Sequence, residues 1–113
     1  MQLFVCRRYW LYKGTDPVNA VLDPLTRNAL EQLLITAQYD TEQGRIVASF
    51  LLSWWGAEKH CGFILTELWC LDHAIAQACV QLFSWLAVNP VRPCVLGFSL
   101  PFEALSRVWQ DRL

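Results

Sequence analysis

The side chains whose types permit chemistry gather between residues 60 and 79: His60, Cys61, Cys70, His73 and Cys79. These are zinc-binding types, and zinc needs four ligands converging tetrahedrally, or three where a water position stays open. Cys70 and His73 are three residues apart, a spacing that lets two side chains share one face of a helix. Cys79 lies beyond them, turned at ~100° per residue to the opposite side, and reads as a small buried hydrophobe. A zinc site would therefore join Cys70 and His73 to His60 or Cys61 from a preceding loop. The other enzymatic option is a Cys–His pair, since a thiolate needs a nearby base or a positive environment. His60 and Cys61 are sequence neighbours whose side chains need not meet, and His73 would need Asp72 to orient it.

Beyond these residues the sequence carries no Gly-rich phosphate loop, no G-x-S-x-G and no H-E-x-x-H. Glu58, Glu67 and Asp72 read as solvated loop and cap residues rather than a paired-carboxylate site. Asp40, Thr41, Gln43 and Arg45 look like a polar motif, but capping accounts for the first three, and Arg45 reads as an exposed helix residue. No cofactor is expected, and the leading expectation is a protein without catalytic activity.

Composition favours a different use of the surface. Of the 113 residues, 55% are apolar and 17% charged, against roughly 45–50% and about 25% in average soluble domains. One core does not consume that excess, so apolar surface is left for a protein partner or a second copy. A net charge of −1 supplies no field for a nucleic acid, which is not an expected partner. In the first segment, "FVCRRYWLYKG", Arg7, Arg8, Tyr9 and Trp10 are the residue types that anchor protein interfaces. With Trp55 they are the candidate partner contacts. The odd count of five cysteines, without a C-x-x-C spacing or a secretory signal, points to reduced thiols in a cytoplasmic protein. The longest uncharged run, residues 74–91, approaches the ~20 residues of a membrane span. Its glutamines, Ser84, Asn89 and Pro90 favour a buried helix instead.

The elements that must position these residues are helices. Residues 1–22 form an apolar extension and a turn, and the first 13 fit strand or helix equally. Asp23 as N-cap and Pro24 at the first helical position open a helix, with Leu25, Ala29, Leu30, Leu33, Leu34 and Ala37 on one face. A second helix starts at an Asp40–Gln43 capping box or, alternatively, at Thr41. Its inward stripe is Ile46, Val47, Phe50, Leu51 and Trp54, with Leu52 and Trp55 outside it. "ILTELW" makes a short turn or half-helix. Asp72 caps a third helix running to about Asn89, with Ile75, Cys79, Leu82, Phe83 and Leu86 inward and Pro90 as the stop. Ser99 caps a last helix with Phe102, Leu105, Val108 and Trp109 inward. A single all-α domain spanning residues 1–113, a compact bundle of about four helices, is the expected fold.

Residues 29–76 contain Asp40-Thr41-x-Gln43, Arg45, "FLLSWW", Gly62-Phe63, Leu65-Thr66, Leu68-Trp69 and Asp72. In these features the segment resembles a small family of uncharacterised bacterial proteins carried on integrative elements and plasmids. The family pattern has Cys at the position of His60, an acidic residue at Ile64, and neither Cys nor His at Cys70 and His73. The resemblance implies an accessory role on a mobile element, such as transfer, maintenance or evasion of host defence. Together these readings point to a cytoplasmic protein-interaction module, including the case of an inhibitor of a bacterial defence component. The alternative is a zinc-binding or thiol-dependent protein using Cys70 and His73.

Overall fold

The computed structural model of the chain describes residues 22–56 and 62–109. It contains four α-helices: α1 (Pro24–Ala37), α2 (Glu42–Gly56), α3 (His73–Val88) and α4 (Ser99–Trp109). Two 3-10 turns, Leu65–Cys70 and Pro93–Leu96, lie between them, and there is no strand among the described residues. The all-α expectation holds. Arg7, Arg8, Tyr9, Trp10, His60 and Cys61 lie outside the described residues.

The start of α1 follows its sequence signals. Asp23 accepts the Thr26 amide at 3.2 Å and the Thr26 hydroxyl at 2.7 Å, and these bonds hold its carboxyl below the usual carboxylate range. Thr26 is fully buried, and its hydroxyl also accepts from Gln81 Nε2 of α3 at 2.9 Å. Ala29, Leu30, Leu33, Leu34 and Ala37 face the core as expected, whereas Leu25 is exposed. At the helix start Leu25 precedes the turn that α3 covers, and Thr26 takes the inward position.

Thr41, not Asp40, caps α2: its hydroxyl accepts the Gly44 amide at 2.9 Å. The capping box does not form because Gln43 bonds elsewhere, to Asp72. Gly44 is dictated by the closeness of the α1–α2 hairpin. A Cβ there would lie 2.0 Å from the Tyr39 carbonyl oxygen and 3.0 Å from that of Thr36. α2 packs between α1 and α4, burying Ile46, Val47, Ala48, Ser49, Leu51 and Leu52. Leu52, expected outside the stripe, is thus core, while Phe50 and Trp54 are half-buried.

The expected division between Trp54 and Trp55 also fails. Both are half-buried, and both pack on Phe102 of α4. Trp54 meets it edge-on at 5.6 Å, and Trp55 stacks on it at 5.8 Å. Neighbouring side chains diverge by ~100° on a helix, but a helix crossing the end of α2 touches both. Trp54 Nε1 also donates to the Val91 carbonyl at 2.9 Å.

α4 buries Phe102, Leu105 and Trp109 but leaves Val108 exposed. The Phe98 carbonyl accepts the Phe102 amide at 3.2 Å, so Ser99 lies inside the helix rather than at its cap. Gly97, at φ +87°, supplies the left-handed residue that reverses the chain before α4. Trp109 Nε1 donates to the Ala37 carbonyl at 2.8 Å, satisfying one of the carbonyls that a helix end leaves unpaired. Among the described residues, no helix is long and apolar enough to cross a membrane.

Candidate docking groove

The polar motif at the start of α2 is a clamp. Asp72 stands at the N-cap position of α3, where its carbonyl accepts the Ala76 amide at 2.9 Å. Its carboxylate makes no capping bond. Instead it accepts from Gln43 Nε2 at 3.0 Å, while the Asp72 amide donates to Gln43 Oε1 at 2.7 Å. One glutamine thus closes a two-bond ring with the residue that begins α3. Beside it, Arg45 Nη2 donates to Glu42 and to Glu67 of the 3-10 turn, each at 2.7 Å. Arg45 is therefore a partly buried bridge rather than a free surface charge. The bonds to Glu42 and Glu67 hold its guanidinium firmly in the charged form. The hydrogen bond from Arg45, and then its charge, lower the Glu42 carboxyl below its ordinary value.

The clamp joins the N-terminal ends of α2 and α3, and the Trp54–Val91 bond joins the regions of their C-terminal ends. The two helices therefore run in the same direction. α1 packs along both, but the backbones of α2 and α3 stay apart. Their separation opens a groove on the side away from α1, in two adjoining cavities of about 400 and 220 Å³. Leu51, Leu82 and Cys79 form its floor. Phe50 and Phe63, edge-on at 5.1 Å, and Leu65 and Leu68 form one wall; Val80, Phe83 and Leu86 form the other. The polar groups of the lining side chains are spent within the fold. The Ser53 hydroxyl donates to the Phe50 carbonyl at 2.6 Å, and the Trp54 N–H is taken by Val91. The clamp holds the 3-10 turn, and with it Leu65 and Leu68, at the mouth of the groove.

Phe83 corrects the sequence reading most sharply. Expected in the inward stripe of α3, it is 64% exposed, while Ala78, Cys79 and Leu82 take the core positions. Two apolar stripes one residue apart run along α3, and periodicity alone does not say which one the fold covers.

Cys70 and His73 do not lie on one helix. Cys70 ends the 3-10 turn and His73 begins α3, with the extended Leu71 and the cap residue Asp72 between them, so they do not share a helical face. Both are exposed, and no group of three or more metal-ligating side chains occurs among the described residues. Cys79 is buried as expected, and burial pushes its thiol up to about 12. Trp55, read as a partner contact, has part of its surface taken by Phe102.

What the sequence reading missed is the groove itself. Its signal was present in "HAIAQACVQLFSWLAV", sixteen residues without a carboxylate, lysine or arginine. A helix that bare is covered on more than one side or offers a face to another molecule. No curated protein and no solved structure matches the chain. A family model, that of a family of unknown function (DUF7673), matches residues 27–110. That span takes in α1 from Arg27 onward, the other three helices and both walls of the groove, and the chain belongs to this family.

Proposed function

We propose that the protein is a non-catalytic protein-interaction module whose working surface is the groove between α2 and α3. The observation that carries this reading is an uncharged apolar cleft whose rim includes the exposed Leu65 and Phe83. Contiguous exposed apolar surface on a small domain marks an interaction site, and aromatic side chains are the usual anchors of one. Arg7, Arg8, Tyr9 and Trp10, together with the outer part of Trp55, are assigned to the partner contact on residue type. The resemblance of residues 29–76 supports an accessory role on a bacterial mobile element, with inhibition of a host defence component as its most specific form.

Capture from bacterial host cells with tagged wild type and Phe83→Glu tests the reading. The expected result is a stoichiometric protein partner retained by the wild type and lost by the variant, at unchanged helical content. Retention of that partner by Phe83→Glu contradicts the groove. Stoichiometric zinc in the wild type, lost in Cys70→Ser with His73→Ala, favours the zinc-binding alternative instead.

A further inference from the structure

Resting on the groove reading, we infer that in the free chain the groove is covered by the chain's own first segment, residues 3–12, which a docking partner displaces. Residues 1–21 lie outside the described residues, but the point at which they join the fold is fixed. Leu22 is buried in the core, and Asp23 caps α1. α1 runs antiparallel to α2 and α3. Thr26, near its start, bonds Gln81 in the second half of α3, and Arg27 stands 5.6 Å from the centre of the Phe98 ring beside α4. The segment therefore leaves the bundle at the end where α2 and α3 finish. At that end Trp54 and Leu86 line the larger cavity of the groove. Arg8 lies 14 positions before Leu22, a stretch that spans up to ~46–50 Å when extended. That is about twice the ~24 Å length of α3, so the segment reaches the whole groove from its point of attachment.

The chemistry of the segment matches the site. Eight of the ten residues 3–12 are apolar, and Phe4, Tyr9, Trp10 and Tyr12 are aromatic. Such side chains suit a cleft lined by Leu51, Phe63, Leu65, Leu82 and Phe83. The charges are also opposite. Arg7, Arg8 and Lys13 against Asp16 give the first 21 residues a net charge of +2, which leaves −3 for the rest of a chain whose net charge is −1. At the far end of the groove the clamp gathers three carboxylates, Glu42, Glu67 and Asp72, around one guanidinium, that of Arg45. With Tyr9 to Tyr12 in the cleft and the chain running from the Trp54 end towards the clamp, Arg7 and Arg8 come over those carboxylates. Complementary charge of this kind fixes register and direction. A tethered segment meets its site at an effective concentration of about 1 mM, so a weak contact is enough to cover the groove. A partner of higher affinity replaces it and leaves Arg7, Arg8, Tyr9 and Trp10 for its own contact.

A thiol on the rim reports the cover, because alkylation requires access. Val80 is a rim residue with an exposed side chain. In the full chain carrying Val80→Cys, the rate of iodoacetamide modification at position 80 is followed by mass spectrometry, with exposed Cys70 as the internal reference. The measurement is repeated with Arg7→Glu, Arg8→Glu and Trp10→Ser added, and at low and high protein concentration. Helical content is checked by circular dichroism, and Leu65→Cys on the facing wall serves if Val80→Cys lowers it. The added substitutions are expected to raise the rate at the rim about 10-fold, the factor for a groove open about a tenth of the time. Cys70 should react alike in both chains, and the protection should not depend on concentration. A rim rate that the substitutions leave unchanged overturns the inference. Protection that appears only at high concentration overturns it too, because the cover is then a second copy. If the rim is open in the free chain while Phe83→Glu still loses the captured protein, the cover by residues 3–12 falls and the groove reading stands.

Discussion

Cys79 illustrates how one residue type serves different ends within a single chain. It is 1% exposed, on the floor of the groove, with its thiol raised to about 12 by burial. Cys70 and Cys94 are exposed. Alkylation requires the thiolate and access to it. Brief treatment of the native protein with iodoacetamide at pH 8, mapped by mass spectrometry, should modify Cys70 and Cys94 and spare Cys79 until the chain is unfolded. Modification of Cys79 at the rate of Cys70 would show that the groove floor opens readily. The burial of Cys79 was legible from its place among Ile75, Leu82 and Leu86. The roles of Gln43 and Arg45 were not, because their partners Asp72 and Glu67 lie 29 and 22 residues away. A sequence shows which side chains can bond, and only the fold shows which ones meet.

Among the elements, α1 was the most legible. Its cap, its proline and its one-sided stripe act within a few residues of one another, and all of them agree with the structure except Leu25, which is exposed. α2 and α3 were legible as helices but not as to which faces they bury. Both are apolar around much of their circumference, so the side each turns inward is set by neighbours: α1 and α4 for α2, and α1 for α3. The hairpin joining α1 to α2 hinges on Gly44, where even a methyl group meets the backbone of the preceding turn. Backbone cannot yield as a side chain does, so Gly44→Ala should cost about 1–3 kcal/mol or more, as overpacking of a tight site does. For a domain of about 100 residues each kcal/mol lowers Tm by roughly 4–8 °C. Thermal denaturation followed by circular dichroism checks it, and an unchanged Tm would mean that the hairpin relaxes freely.

Across the whole molecule, surplus apolar composition was the most informative property of the sequence, and the structure gives that surplus a location. The core takes the inner faces of all four helices, yet Leu65, Val80 and Phe83 remain at the rim of a cleft with a wholly apolar floor. The clamp of Gln43, Arg45, Glu67 and Asp72 fixes the 3-10 turn beside α3 and so gives the cleft its shape in the free chain. A preformed site of this kind loses less ordering entropy on binding than one assembled in the encounter. Hydrogen–deuterium exchange locates the working surface without assuming the partner. It is recorded on the protein at low concentration, at high concentration, and with whatever protein it captures. The expected result is added protection confined to residues 63–68 and 76–87, the two walls of the groove. Protection that instead falls on the outer face of α4, around Leu100, Glu103 and Arg107, with the groove exchanging as freely as before, would contradict it.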